Sequence, residues 1–221
     1  MSMKIDPNLT EKFPRLNAKI VSMKGVDIRL ENVELEAFKS EVLHRVRSNW
    51  TLDQLREHSI FRAYRDFFWR IGVDPTKNRP AAEALIRRIL HGNPIPRINT
   101  LVDSYNLASI ETTIAIAAFD EDKLRGGLNM RQAESGEEFL GIGMDKPAKL
   151  RGGEVVVADD EGLVAVYPYR DADFSKVTVR TRNVLFLICG VPNISSEVLS
   201  YAGKVTEEYV DRFCDGTRVS R

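Results

Sequence analysis

Cysteine and long apolar runs are both scarce in this chain of 221 residues, and each scarcity excludes a class of protein. Only Cys189 and Cys214 carry thiols, and Cys189 lies within an apolar run typical of a strand. We therefore expect both thiols to be reduced and the protein to be cytoplasmic. No stretch approaches the roughly 20 apolar residues of a membrane-spanning helix, and residues 1–8 lack the apolar core of a signal peptide. We expect a soluble protein with no membrane contact.

Residues and motifs that usually carry catalysis are also scarce. The three histidines, His44, His58 and His91, lack metal-ligand spacing, and a surface or core position is the simpler interpretation of each. A P-loop, a complete dinucleotide-binding glycine fingerprint and a Gly-x-Ser-x-Gly motif are all missing. The sequence therefore predicts no metal, no cofactor and no obvious protein nucleophile. An enzyme with this sequence would activate water or use groups of its own substrate.

The net charge is zero, with 32 basic and 32 acidic residues, which argues against nonspecific coating of nucleic acid. The charge is nevertheless uneven, because nine basic minus four acidic residues give residues 56–97, the basic lobe, a charge of +5. Its basic residues are Arg56, Arg62, Arg65, Arg70, Lys77, Arg79, Arg87, Arg88 and Arg97. Such a lobe suits contact with a phosphate backbone. A set of solvated helix faces is the alternative interpretation.

Apolar periodicity and turn residues predict an α+β protein with a β-sandwich-like centre, flanked by N-terminal helices and a C-terminal helix. The predicted helices cover residues 32–47, 59–71, 80–90, 100–110 and the segment from 195 to a stop at Gly216. The predicted strands cover residues 17–30, as two strands around a turn at Lys24 and Gly25, and then 128–133, 139–142, 154–158, 163–167 and 184–189. We divide the chain into an N-terminal extension (1–58), a central domain (59–190) and a C-terminal helix on the same body (191–221).

A polar cluster at residues 97–106 interrupts the apolar pattern just after the rigid connector at residues 93–96. On a helix, Asn99, Asp103 and Asn106 lie three or four residues apart and share a face. They are candidates for a binding site. A hydrogen-bonded cap that holds the connector in place is the alternative.

Five short phrases follow one another in order over about 90 residues. They are Asn-x-x-x-Asp-x-x-Asn at 99–106, Ala-Phe-Asp-x-Asp-Lys-Leu at 118–124, Arg-x-Ala-x-x-Gly-Glu at 131–137, Val157 to Asp160, and Ser-x-Val-Thr-x-x-Thr-x-Asn-Val at 175–184. Together they resemble the B3/B4 domain of the phenylalanine–tRNA ligase beta subunit. The resemblance covers roughly residues 60–190, and the remaining length leaves no room for an adenylate-forming domain. The chain is therefore similar to a free-standing B3/B4 protein.

The resemblance implies a pocket like the one that hydrolyses tyrosine wrongly attached to phenylalanine tRNA. The family's pocket glutamate falls on Asp173, which would select a phenol or an amino group, and its asparagine falls on Asn106. Its pocket threonine falls on Tyr105 and its histidine on Ala117, so two positions depart from the family. With Asn99, Asn106 would orient the ester or the attacking water.

The resemblance also implies tRNA as the partner, with an aromatic amino acid or its aminoacyl ester as the small ligand. Arg131 and Arg170 would hold phosphates of the acceptor end, or would pair with Glu137 and Asp171 instead. The tRNA backbone would contact Lys77, Arg79, Arg87, Arg88 and Arg97. A non-catalytic module that binds tRNA or an aromatic amino acid is the alternative, and the alanine at position 117 favours it. A third possibility is an unrelated small-molecule protein with the same fold.

Overall fold

Residues 1–219 are described by the computed structural model, which contains helices, one mixed sheet and two antiparallel sheets. The helices are α1 (Pro7–Lys12), α2 (Val33–Asn49), α3 (Leu52–Glu57), α4 (Ser59–Arg70), α5 (Ala81–Leu90), α6 (Thr100–Thr112) and α7 (Ser196–Cys214). The strands are β1 (Met3–Ile5), β2 (Lys19–Lys24), β3 (Ala115–Asp120), β4 (Leu128–Gln132), β5 (Glu138–Phe139), β6 (Ala148–Lys149), β7 (Val155–Ala158), β8 (Leu163–Val166), β9 (Arg170–Asp171), β10 (Asn183–Cys189) and β11 (Thr217–Arg218). The predicted α+β class is confirmed. No helix in this range is long and apolar enough to cross a membrane.

Two main sheets organise these strands. One has five strands in the order β1-β4-β7-β8-β9, and the other has four in the order β11-β2-β10-β3. β10 lies inside the four-stranded sheet and is antiparallel to β2 and to β3. Its side chains from Val184 to Cys189 are all buried, which explains why this strand is a continuous apolar run rather than an alternating one.

One contiguous apolar core joins both sheets and most of the helices. Two buried tyrosines connect its parts. The Tyr64 hydroxyl of α4 donates to the carbonyl of Cys189 and accepts the Ala115 N–H at 3.0 Å. The Tyr167 hydroxyl, one residue beyond β8, donates to the carbonyl of Gly190. The adjoining ends of β3 and β10 are thus fixed by a helix on one side and by the five-stranded sheet on the other.

The predicted helices are confirmed, and three of them, α2, α6 and α7, begin with a side-chain cap. Asn32 accepts the Leu35 N–H at 3.0 Å before α2, and Ser195 accepts the Val198 N–H at 3.4 Å before α7. The short elements α1, α3 and β1 were not predicted, because three to six residues give too little periodicity. β3 was not predicted either. It is buried at every position, so it lacks the alternation that marks a half-exposed strand.

The predicted second strand at residues 26–30 is wrong. Gly25 turns the chain with a φ of +68°, but the backbone beyond it bonds to three separate partners instead of one strand. Val26 N–H donates to the carbonyl of Arg182, and Asp27 N–H donates to that of Cys214. The third partner is Thr100, the N–H of which donates to the carbonyl of Arg29. The edge of β2 that a hairpin partner would have occupied is paired with β11 instead.

Candidate functional site

The polar cluster at residues 97–106 is built around the first turn of α6. The Asn99 side chain accepts the Val102 N–H at 2.9 Å, which caps the helix. One Asp103 oxygen accepts the Ile98 N–H at 3.1 Å, and the other contacts the Lys39 ammonium at 2.5 Å. The Asp103 side chain is only 2% exposed. These contacts correspond to the cap that was the alternative interpretation of this cluster, and Asn99 and Asp103 do not share an open face with Asn106.

The second turn of α6 presents Tyr105 and Asn106, both partly exposed. The Tyr105 ring lies edge-on to Phe186 of β10, with 6.1 Å between the ring centroids. Burial, together with the charges of Asp171 and Asp103, raises the pKa of the Tyr105 hydroxyl, so it remains a neutral donor. Within residues 1–219 the Asn106 side chain makes no hydrogen bond, and its amide is available to a ligand.

Ala117, on which the resemblance places the family's histidine, lies in the middle of β3. It is buried and lies opposite Leu187 of β10. Its backbone hydrogen-bonds toward the Cys189 thiol, the pKa of which is raised by burial and by the charge of Asp171. The charge of Asp171 therefore acts on both the Cys189 thiol and the Tyr105 hydroxyl.

Asp171 is the most perturbed carboxylate of the central segment. It lies on β9 opposite Ala165 of β8, which in turn lies opposite Val157 of β7, and both of these neighbours belong to the main core. Its carboxylate therefore shares their inward face. Burial raises the pKa of this carboxyl to about 7. In the described part of the chain no side-chain hydrogen bond reaches it, so nothing offsets the cost of its charge.

The other carboxylate, Asp173, has a different environment. It pairs with Lys176 at 2.7 Å, and both side chains are more than a third exposed. Arg131 forms a bidentate pair with Glu137, at 2.9 and 2.6 Å, which matches the structural alternative for this arginine. Arg170 is exposed and does not pair with Asp171, because neighbouring strand residues point to opposite faces. Its aliphatic chain packs on Gly141 instead.

The basic lobe forms two adjoining clefts. The larger, of about 580 Å³, is lined by side chains of α3, α4, α5 and the loop between α4 and α5. The smaller, of about 330 Å³, is lined by Lys77, Arg79, Ala84, Arg87 and His91. Of the five arginine and lysine residues predicted to contact RNA, three therefore lie together. Arg97 pairs instead with Glu31 at 3.2 Å and Glu36 at 3.6 Å, and Arg88 donates to the carbonyl of Pro94.

Comparison with known proteins shows the family. The sequence model of the B3/4 domain matches residues 63–219, more than half of the chain. The chain belongs to the B3/4 domain family. It is 28% identical over 127 residues to the phenylalanine–tRNA ligase beta subunit of Mycoplasma genitalium, covering 58% of this chain and 15% of that protein. It is 24% identical over 184 residues to the same subunit of Neisseria meningitidis serogroup B, covering 83% of this chain and 22% of that protein.

A solved structure has the same fold as this B3/4 protein. It is an N-terminal fragment of the phenylalanyl-tRNA synthetase beta subunit from Pyrococcus horikoshii, with a TM-score of 0.53 and 13% sequence identity. The match covers 98% of this chain and 50% of that one, and at this identity it shows the fold alone. The chain thus spans a minor part of the curated relatives and half of the solved fragment.

Sequence reasoning missed Asp171 as a site residue in this B3/4 protein and named it only as an ion-pair partner. A signal was present, because Asp171 and Asp173 alternate with Arg170 and Ala172 in a period-two pattern. Strand periodicity places both carboxylates on one face, so which of them is buried depends on where β9 ends, and contacts distant in sequence set that end. No group of three metal-ligating side chains occurs among residues 1–219.

Proposed function

We propose that this B3/4 protein hydrolyses the ester bond of an aminoacyl-tRNA, with Asp171 as the general base. The observation that carries this proposal is the inward-facing Asp171 carboxyl with a pKa near 7. A general base works best when its pKa lies near the working pH, because it is then largely ionised yet still basic enough to accept a proton. No other carboxyl in the described chain combines this pKa with an electrostatic interaction with Tyr105, which falls on a pocket position of the family.

The proposed chemistry needs little beyond an oriented water. An aminoacyl ester is already activated, so the Asp171 carboxylate would take a proton from water as the oxygen attacks the ester carbonyl. The leaving group is a hydroxyl of the terminal adenosine, which recovers the proton. Tyr105 remains a neutral donor and, with the unoccupied amide of Asn106, would stabilise the developing oxyanion.

The resemblance to the ligase's editing domain implies tyrosine as the amino acid, and the names of the relatives point to phenylalanine tRNA as the carrier. In this proposal Asp173, held by Lys176, remains available to accept the phenol hydroxyl. A site built around a hydroxyl rejects an analogue that lacks it by roughly 10⁴-fold. Lys77, Arg79 and Arg87 would contact the tRNA backbone, so binding should weaken as the salt concentration rises.

The test is the release of tyrosine from tyrosyl-tRNA(Phe) by the purified protein, with phenylalanyl-tRNA(Phe) beside it. We expect selective release of tyrosine, a pH profile of kcat/KM that rises with an inflection near pH 7, and a loss of roughly 10²- to 10⁴-fold in the Asp171→Asn variant. Asp145→Asn, an exposed carboxylate, is the matched control. Release no faster than the uncatalysed rate would overturn the proposal for this substrate.

A non-catalytic binding module is the second candidate, and Ala117 favours it because it offers no titratable group where the family has histidine. In that case tRNA would bind and remain charged, and Asp171→Asn would change neither property. The two candidates separate cleanly when binding and release are measured on the same charged tRNA.

A further inference from the structure

The larger cleft of the basic lobe contains an aromatic side chain, Trp69. Contact with the phosphates of an RNA backbone would need only the basic residues. Arg62, Arg65 and Trp69 are spaced three and four residues apart on α4, so they lie along one face of the helix. The opposite face of α4 is buried and includes Phe61, Tyr64, Phe67 and Phe68. Trp69 is 59% exposed and lines the cleft. Tryptophan side chains are highly buried on average, so an exposed tryptophan that lines a cleft is a candidate for ligand contact.

Two of the arginines around Trp69, Arg65 and Arg87, are held in place from the interior of the protein. Glu83 of α5 is 4% exposed, and its carboxylate contacts Arg65 at 3.0 Å and Arg87 at 3.9 Å. Arg65 also donates to the carbonyl of Arg56. Five arginines and three acidic residues line the cleft, which leaves it with a charge of +2; they are Arg56, Arg62, Arg65, Arg79, Arg87, Glu57, Asp66 and Glu83.

We propose that this cleft binds an unpaired nucleotide of an RNA strand, with the base stacked on Trp69 and the flanking phosphates held by the arginines. Aromatic platforms beside arginines bind single strands because every base has a π-face and every linkage a phosphate. A duplex keeps its bases stacked inside and offers Trp69 no face. Arg79 and Arg87 also line the adjoining cleft, so the basic surface continues past one nucleotide, which favours a strand over a free mononucleotide.

The sequence supplies a direct optical test. The chain has two tryptophans, and Trp50 contacts His58 and Phe61 away from the cleft lining, so a Trp50→Phe protein reports on Trp69 alone. We expect a single-stranded hexaribonucleotide to quench its fluorescence. A blunt-ended RNA duplex at equal nucleotide concentration should quench it far less. AMP should bind much more weakly than the hexanucleotide, and equal affinity for AMP would overturn the assignment to a strand.

Affinity of the single strand for substituted proteins, measured by anisotropy of a labelled hexanucleotide, completes the test. Trp69→Ala should weaken binding roughly 5- to 100-fold, and Trp69→Phe should restore most of it. Tyr201→Ala, which removes another exposed aromatic side chain (57% exposed) on α7, should bind as the parent does. Unchanged affinity in Trp69→Ala would overturn the inference.

The inference rests on the proposed function in taking RNA as the partner, and the two fail separately. Quenching by the single strand without ester hydrolysis would overturn the proposed hydrolysis alone. Hydrolysis of the charged tRNA together with an unaffected Trp69→Ala protein would overturn the stacking site alone.

Discussion

At the scale of single residues, two aspartates two positions apart differ most in what surrounds them. Asp171 faces core residues of the five-stranded sheet, where burial raises the pKa of its carboxyl to about 7. Asp173 faces solvent and a lysine. Strand periodicity would give them the same face, but β9 ends at Asp171 and the chain beyond it turns away. A carboxylate with a raised pKa whose charge acts on the partly exposed Tyr105 is a functional candidate on physical grounds.

We expect Asp171→Asn to stabilise the protein at pH 8 and to leave it nearly unchanged at pH 4. The unfolded carboxyl ionises near pH 4 but the folded one only near pH 7, so the folded state holds an extra proton in that window. Stability of the wild-type protein therefore falls as the pH rises from about 4 to about 7 and is level above it. Because the side chain is partly exposed, we expect a gain of about 1 to 3 kcal/mol.

Urea denaturation of both proteins at pH 4, 6 and 8 checks this expectation. A gain that is the same at all three values would mean that Asp171 does not titrate in the folded state as the structure indicates. Asp145→Asn again serves as the control, since an exposed carboxylate should show no such dependence on pH.

At the scale of elements, the polar residues at the start of α6 have two interpretations, a binding site and a helix cap. Asn99 caps the helix, and Asp103 links it to α2 through Lys39. Both side chains are buried. A cap and a catalytic group can be told apart, because serine replaces asparagine in a cap but not in orienting an ester.

We expect Asn99→Ala to lower the free energy of unfolding by about 1 kcal/mol and Asn99→Ser to restore it, because serine caps nearly as well. Thermal or urea denaturation measures the stability, and ester hydrolysis measures the function. If Asn99→Ser restores stability but leaves the protein inactive, Asn99 acts on the substrate as well as on the helix.

Removing one partner of the buried ion pair between Lys39 and Asp103 should greatly lower the free energy of unfolding. We expect Lys39→Met to destabilise the protein by about 3 to 5 kcal/mol, because it leaves a buried carboxylate uncompensated. Arg45→Ala removes an exposed pair with Glu111, 2.9 Å apart, and should cost less than about 1 kcal/mol. Equal effects of the two substitutions would contradict the burial of Asp103. The double variant Lys39→Met, Asp103→Leu should recover much of the loss.

At the scale of the whole molecule, one core binds the helices to both sheets. Segments that the sequence presents as an N-terminal extension supply strands to each sheet: β1 pairs with β4, and β2 pairs with β10. The Tyr64 hydroxyl of α4 forms hydrogen bonds with both β3 and β10. The helices carrying the basic cleft and the strands carrying Asp171 are thereby held in one body.

We expect Tyr64→Phe to destabilise the protein by about 1 to 3 kcal/mol, because it leaves the buried Ala115 N–H and Cys189 carbonyl without this partner. Tyr169→Phe is the matched control. Its ring contacts Phe68, yet within residues 1–219 its hydroxyl has no hydrogen bond to lose. Circular dichroism and tryptophan fluorescence should report the same transition in both variants, and separate transitions would contradict a single cooperative core.

The sequence by itself determined the helices with clear periodicity, the apolar central strand β10 and the B3/4 family. The helices and β10 follow from the local spacing of apolar residues, and the family follows from short phrases in a fixed order. The tertiary structure decided which polar residues are buried. The Asn99 side chain caps α6. Residues 26–30 form hydrogen bonds with three distant partners instead of the predicted strand. Burial raises the pKa of the Asp171 carboxyl to about 7. Burial and pKa depend on which distant segments pack against a side chain, and no local pattern specifies those neighbours.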